Sequence, residues 1–572
     1  MLRVAVLAAA VWVVLAVGLL IVGWLYSRAG LGHVERATAS LAPEDVVVGN
    51  DLAALKAARN DFGVAHLLGE MPMVRSFEGL PFVGRQLHAV RALNGAAHDV
   101  LAVGVHAVER SQDGIAGMKQ GGAARVSGMR LIASVAAESR TRVDAIHLGS
   151  SHGLVGPLAH AQDRFARRIP KLTKALGDLH EVATGLTSFL DGPRLYLVFA
   201  ANNNEMRLGS GSFLSASLLS TKHGKLTLFP MQPTAPLKLG PARAARVPMP
   251  PDQKELWGWL APNDEWRNLA SSPRFDTTAQ LSRRMMQVRE GLTVDGVLAI
   301  DPVALNGIVG ATGPVGVGGR QLSGDALLKY VFIDQYHGVS VFDTQQRARR
   351  DALGGIAQEA IGRLDAGHWD TRALVRALRT VGRGRHVLAW SARRDEQRAW
   401  HIAGVDGALP DDSLFIGVHN RGGNKLDPFL DVRASVSSHR TATGVRVGVI
   451  VQMHNTAPNG LPRYVGGPYP GARNARKGTY QGILAFYIPG DATDLHVSGR
   501  DPTVSGGRDG KHRVVAMQVH LDRTKTDTVG LTFALPNRAK NLIIEPSARY
   551  PSVRWADGAL RWQDTDAQTV RL

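Results

Sequence analysis

The 572-residue chain contains no cysteine. That absence excludes structural disulfides, thiolate zinc sites, iron–sulfur clusters and thiol nucleophiles together, and leaves any chemistry to oxygen and nitrogen groups. It fixes no redox compartment, because a chain with nothing to oxidise is at home on either side of a membrane. Lysine is scarce, 14 of the 67 basic residues, in a background rich in Ala, Gly and Val. This bias fits GC-rich coding better than selection for guanidinium chemistry. Long uncharged apolar runs are missing after residue 25, so no later stretch reads as a membrane span. What remains, 44% hydrophobic and 20% charged, is globular composition. The length implies two to four domains.

The one long apolar run is Val4 to Leu25, 22 residues without a charge. At about 1.5 Å per residue it is long enough to cross a hydrocarbon core of about 30 Å. It exceeds the apolar core of about 7–15 residues in a cleavable signal peptide. It is therefore read as an uncleaved signal anchor, with Trp12 inside the span and Trp24 and Tyr26 near an interface. The positive-inside rule places the amino terminus in the cytoplasm and the bulk of the chain outside it, although Arg28 and Arg36 oppose this. Most of the net charge of +18 lies beyond residue 192. That distribution argues against a polybasic lipid clamp beside the anchor. An exported chain is not expected to bind nucleic acid. The partners expected are the membrane itself, through the N-terminal helix, and an anionic envelope glycan or lipid-linked pyrophosphate; the alternative is that the charge only solvates the surface.

Apolar residues at three- and four-residue spacing make 30–192 a helical, membrane-proximal stalk, with a turn at Gly79–Gly84. Its histidines, among them His98, His106 and His180, lack an H-E-x-x-H pattern and read as helix surface. From 193 the pattern changes. Leu195–Ala200 is a buried strand, Phe213–Leu219 and Lys225–Phe229 follow with a turn at His223–Gly224, and Pro230–Pro251 is a loop. Trp257–Glu290 reads as helix and Gly296–Ile300 as strand. Asp301-Pro302 supplies a capping carboxylate and a first-turn proline to the next helix. Helices at Gly324–Tyr330, Gln345–Leu364 and Thr371–Val381 precede strands at His386–Ser391, Ala399–Val405 and Leu414–Val418. Residues 193–425 thus read as an α/β domain with a mixed sheet. From 426 to 572, short alternating strands with Gly/Pro/Asn turns predict an antiparallel β-sandwich. The fold class expected is α+β multidomain: transmembrane helix at 4–25, helical stalk, α/β domain and C-terminal sandwich.

The densest polar cluster, Asn202 to Ser212, lies between two apolar strands, where α/β proteins tend to place ligands. Ser210, Gly211 and Ser212 could expose successive N–H groups to an anion, and Arg207 could make a bidentate phosphate contact. Asn203 and Glu205 could hold a metal ion. The competing reading is a hydrogen-bonded connection in which Glu205 pairs with Arg207. Asp301 is either a helix cap or a catalytic carboxylate. Arg347 and Arg350, with Asp351, form either a phosphate clamp or an ordinary ion-paired helix face.

Four stretches together resemble an uncharacterised bacterial membrane-anchored envelope family, a domain of unknown function. They are Leu80-Pro81-Phe82-Val83-Gly84; Tyr196–Ala200 leading to Asn202–Arg207; Val294–Pro302 with Thr312–Val315; and Asn420–Asp427. The family shows Gly-Gly-Phe where this chain has Gly211-Ser212-Phe213. The resemblance implies an exported, membrane-anchored protein connected with polysaccharide synthesis, and supplies no activity. The middle domain also resembles, more weakly, the LytR–CpsA–Psr phosphotransferases, which move polymers from polyprenyl pyrophosphate carriers. The similar parts are the strand to Ile300-Asp301, Leu322–Leu327 and Asp343 to Arg350. The chain lacks their pyrophosphate arginine after Tyr330, where it reads Val331–Asp334.

Two functions follow. As an enzyme, the protein would be an Mg2+-dependent phosphotransferase on polyprenyl-pyrophosphate-linked glycans, with Arg207, Glu205 and Asp301 catalytic and Arg347 and Arg350 clamping the anion. As a non-catalytic envelope scaffold, it would engage a glycan or protein through exposed Tyr464, Tyr469, Tyr480 and Trp555 of the sandwich.

Overall fold

The computed structural model describes residues 2–39, 52–337, 345–468, 476–499 and 504–572, apart from the side chains of 2–10, 36–39 and 345–351. The chain forms two compact units, Met1–Thr187 and Ser188–Leu572. It is an α+β multidomain protein, as the pattern predicts.

Among the described residues the first unit contains helices and no strand. Helix Leu2–Ala39 contains the apolar run, and its stretch Val11–Glu35, with mean hydropathy 1.8, is among the described residues the one helix long and apolar enough to cross a membrane. Helices Leu52–Glu70, Pro72–Arg75, Val83–Lys119, Gly122–Asp144 and Gly156–Asp191 follow, the last running on into the second unit. Several histidines, expected on a solvated helix surface, are half-buried and bonded to a neighbouring helix. His98 Nδ1 lies 2.9 Å from the Arg59 carbonyl, His180 Nδ1 2.9 Å from that of Ala133 and His66 Nδ1 3.2 Å from that of Arg91. Each ring ties its helix to a neighbour.

The second unit opens with a mixed sheet built from β1 (Arg194–Met206), β2 (Gly211–Lys222), β3 (Lys225–Leu228), β4 (Gln232–Pro233), β5 (Gly296–Ile300) and β8 (Val387–Ser391), with a separate ribbon of β6 (Val315–Val317) and β7 (Arg320–Leu322). β1 sits centrally, antiparallel to β2 and parallel to β5. Its continuous apolar run reflects burial on both faces. Leu197, Phe199 and Ala201 join a core with Trp266, Phe275 and Leu388, while Tyr196 and Val198 pack with Leu219 and, at the margin, Leu298 and Ile300.

Two readings of secondary structure need correction. Ala399–Val405 is not a strand: Arg394–Ile402 is a helix, with Asp395 and Glu396 in its first turn and Glu396, Ala399 and Trp400 on the buried face. Acidic residues at the positive end of a helix and three- and four-residue spacing outweigh the apolar content. Trp257–Glu290 is not one helix but two short 3₁₀ turns followed by helix Phe275–Glu290. Pro262 and Pro273 remove the hydrogen bonds that continuity requires.

The C-terminal region is a sandwich of two six-stranded sheets around a Leu/Val/Phe core. Strand Ser413–Asn420 belongs to it, pairing with Tyr480–Ile488 and, in parallel, with Asn541–Glu545. One face of that strand enters the sandwich core and the other, through Phe415, packs on Leu208, Leu256 and Trp257 of the α/β region. Each sheet carries one parallel pair, the second being Leu430–Arg440 with Arg554–Asp557. The sandwich is therefore predominantly, not wholly, antiparallel.

Candidate functional site

β1 and β2 hold register to Ala200↔Ser215, slip once before Ala201↔Phe213, and slip again after Asn202↔Ser212, so that Met206 next faces Gly211. The bulge releases Asn203, Asn204 and Glu205 from the ladder and lets each turn to a different neighbour. Asn203 Nδ2 donates to Asp301 Oδ2 at 2.8 Å and to the Ala548 carbonyl at 2.7 Å. Asn204 Nδ2 donates to the Phe332 carbonyl and to the Tyr336 hydroxyl. Glu205 pairs with Lys425. Lys425 is 1% exposed, and its ammonium lies 4.9 Å from the Tyr464 ring centroid and 5.7 Å from that of Tyr336. Burial opposes the charge on Glu205, but Lys425, and Arg207 beyond it, outweigh that and hold the carboxyl below its ordinary range.

The stretch Asn420–Asp427 thus meets Asn202–Arg207 from the far side of the sequence. Asp427 Oδ2 accepts from the Met206 amide at 3.0 Å and from Asn420 Nδ2 at 2.8 Å. Two polar motifs that are separated by about two hundred residues form one network.

Asp301 does cap its helix, accepting from the Ala304 amide at 2.9 Å. Its Oδ2 also lies 2.6 Å from His386 Nδ1. Burial works against the imidazolium, but the Asp301 carboxylate prevails and raises His386 above its usual range.

The arginine assigned to an anion is occupied otherwise. Arg207 is buried, with Nε donating to the Arg267 carbonyl and Asn268 Oδ1, and Nη1 to the carbonyls of Met206 and Asn420 at 3.0 and 3.1 Å. It staples the end of β1 to the sandwich. Its pairing with Glu205 is not made by a direct ion pair, since Lys425 takes that carboxylate. Ser210, Gly211 and Ser212 form no anion nest either. All three are buried, the Ser210 carbonyl accepts from the Arg207 amide at 2.7 Å, and the Ser212 hydroxyl turns to the Arg267 carbonyl. Gly211 is required by packing: a Cβ there would lie 2.3 Å from the Asn202 carbonyl carbon. Arg347 and Arg350 lie on helix Gln345–Asp365, and their side chains, like Asp351, fall outside the described residues, as does Tyr469.

Of the aromatic residues expected to be exposed, the three that are described, Tyr464, Tyr480 and Trp555, are buried. Tyr480 and Trp555 are core residues, and the Tyr480 hydroxyl donates to Asp427 Oδ1 at 2.9 Å. Tyr464 is buried over Lys425.

A cavity of about 410 Å³ opens between the α/β sheet and its covering helices. Its walls are Val198, Ala200, Leu219, Leu298 and Ile300 from the sheet, Leu305 and Ile308 from helix Pro302–Thr312, and Leu353, Ala357 and Ile361 from helix Gln345–Asp365. Polar groups also line it: Asn202, Glu205, Arg267, Asp301, Gln335, Tyr336, Lys425 and Tyr464. Asn202 Nδ2 is buried there without a hydrogen-bond partner. Lys425 and Tyr336 escaped the residue-type reading, although Lys425 lies within a motif already singled out, and the sequence reads Tyr464 only as an exposed aromatic of the sandwich. His386 carried no signal, standing alone before an apolar strand.

The residues named for a metal do not fit one. Asn203 and Glu205 are held by different partners, Glu205 by a cation, and among the described residues no group of three or more His, Asp or Glu is arranged to hold a metal ion.

Among curated proteins and among solved structures, none matches the chain. Residues 191–336, which carry β1, β2, β5, the Asn202–Arg207 bulge and Asp301, match the model of a family described as Protein of unknown function (DUF4012).

Proposed function

We propose that the protein is a single-pass membrane protein of the bacterial cell envelope, with its bulk outside the cytoplasm. Its α/β cavity holds the apolar chain of a lipid-linked glycan precursor, and the polar groups at the cavity receive the head group. The observation that carries this reading is the cavity itself, about 410 Å³ with an apolar wall on one side and a cluster of amide, carboxylate, ammonium and phenol groups on the other. Apolar cavities stay dry and accept apolar ligands; one of about 150 Å³ already takes benzene. A pocket that is apolar with a few convergent polar groups is the usual form of a small-molecule site. The apolar helix at the amino terminus supports the membrane location, since it would keep the domain close to lipid-borne substrates.

The reading stops at binding and presentation of the precursor. The arginine chosen for phosphoryl transfer, Arg207, spends its described donors on protein oxygens. The cations lining the cavity are Lys425, paired with Glu205, and Arg267, paired with Glu265.

The test is binding of a polyprenyl phosphate to the full chain in lipid nanodiscs, followed by native mass spectrometry. Ala200→Trp and Leu353→Trp, which fill the cavity from the sheet and from the helix, are expected to weaken binding at least tenfold. Both variants are checked for folding by near-UV circular dichroism. Undiminished binding by folded variants would overturn the assignment.

A further inference from the structure

One motif has no part in the cavity: Leu80-Pro81-Phe82-Val83-Gly84, in the helical unit. Leu80, Phe82 and Val83 are exposed, as are Leu67 and Met71 on the neighbouring segment; Phe82 is 63% and Leu67 62% accessible. Single exposed apolar residues need no explanation, but five at one corner do.

The corner is built, not loose. The Gly84 amide donates to the Leu80 carbonyl at 2.8 Å. A Cβ at Gly84 would lie 1.9 Å from the Glu78 carbonyl oxygen, so only glycine permits this turn. Arg91 then locks it from beneath, pairing with Glu78 and, at 3.0 Å, with Glu70, which also faces Arg75 at 3.6 Å. Glu70, Arg75, Glu78 and Arg91 are thus paired with one another, the arrangement that ionisable groups adopt at membrane depth.

Its location decides what covers it. Trp12 Nε1 donates to Ser76 Oγ at 3.0 Å. Trp12 lies 13 residues before Leu25, or about 20 Å along a helix, so the corner stands beside the interior of the apolar run. The contact between the two follows a seam of small residues. Ala16 is buried, Gly23 faces Ala65 and Leu68, and Gly30 faces Phe62. Val14, Leu15, Ile21 and Leu25 of the helix stay exposed. If that helix is in lipid, the corner is beside lipid too.

We propose that the corner formed by Leu67, Met71, Leu80, Phe82 and Val83 is a second membrane element, which enters the bilayer beside the anchor helix and sets its side chains against acyl chains. The proposal rests on the anchor reading given above.

The absence of cysteine makes the test direct. Phe82→Cys, Leu80→Cys, Leu15→Cys and Lys174→Cys, each in the full chain and labelled with an environment-sensitive dye, are reconstituted into phosphatidylethanolamine/phosphatidylglycerol vesicles containing a doxyl-labelled lipid. Circular dichroism confirms that each labelled chain is folded. Labels at 15, 80 and 82 are expected to lose at least two-thirds of their emission to the lipid quencher, and the label at 174 to lose none. Quenching at 15 without quenching at 80 and 82 overturns the corner and leaves the anchor standing. A blue-shifted, unquenched label at 80 and 82 shows a protein surface there instead, and also overturns it. An unquenched label at 15 overturns the anchor reading, and the corner with it.

Discussion

Arg549 Nη1 donates to Asp427 Oδ1 across 3.0 Å, and neither side chain has measurable exposure. Asp427 also accepts from Tyr480, Asn420 and the Met206 amide, while Arg549 Nη2 donates to the carbonyls of Asp427 and Leu430. The pair therefore ties the end of β1 to both sheets of the sandwich. Removing one member strands a buried charge, which costs about 3–5 kcal/mol, whereas replacing both with apolar groups is often nearly neutral. Arg549→Met is expected to lower the urea midpoint sharply. Asp427→Leu with Arg549→Met should recover part of that loss, in a double-mutant cycle read by equilibrium unfolding.

Arg207 is expected to behave as a structural residue. Truncating it leaves the carbonyls of Arg267, Met206 and Asn420 without their donor, and each buried unsatisfied group costs about 1–3 kcal/mol. Arg207→Ala should therefore lose several kcal/mol in chemical denaturation. Arg207→Lys should rescue little, because a single ammonium cannot reproduce the planar fork of donors. Ligand binding per folded molecule should stay unchanged. A folded Arg207→Lys variant that lost binding would return this residue to the site.

The Asp301–His386 contact predicts a pH dependence of stability. His386 has a folded pKa above its unfolded value, so its contribution is fully present below about 6.5, the ordinary value, and is lost as pH rises through the folded pKa. Asp564, buried and raised to about 6, acts in the same sense at lower pH, its contribution declining as pH rises from 3.8 toward 6. The free-energy difference between the natural chain and His386→Asn, followed from pH 5.5 to 8.5, should shrink as pH rises. A difference that grew with pH would contradict the assigned contact.

Much of the fold is legible in the sequence because local pattern and tertiary environment agree there. Val432–Ser438, Gly444–His454 and Gln481–Ile488 alternate or run apolar, and all are strands. Asp301-Pro302 announces a cap, and the carboxylate makes it. Where the reading failed, long-range packing had decided. Leu414–Val418 looks like an α/β strand because both of its faces are buried, yet one of them belongs to the sandwich. The site failed in the same way. Arg207 and Glu205 are two residues apart and of opposite charge, but the bulge sends them to different partners, and Lys425 arrives from 220 residues away. Residue type marks a polar cluster as worth attention. It does not tell a staple from a ligand contact, because that depends on which carbonyls the fold brings within reach.

The Glu205–Lys425 pair predicts how that staple responds to protonation. Glu205 has a folded pKa below its unfolded value, so its contribution is present above about 4.3, the ordinary glutamate value, and is lost as pH falls through the folded pKa. Lys425→Met removes the cation and leaves the carboxylate facing two tyrosine rings and an apolar cavity. At pH 7 this should cost about 3–5 kcal/mol, the usual consequence of breaking a buried pair. At pH 4 the stranded carboxyl takes up a proton, so the variant should lose much less relative to the natural chain at the same pH. Glu205→Gln with Lys425→Met should abolish this pH dependence. Urea titrations at the two pH values separate the cases, and an equal loss at both would show that Lys425 acts through its packing on Tyr464, not through its charge.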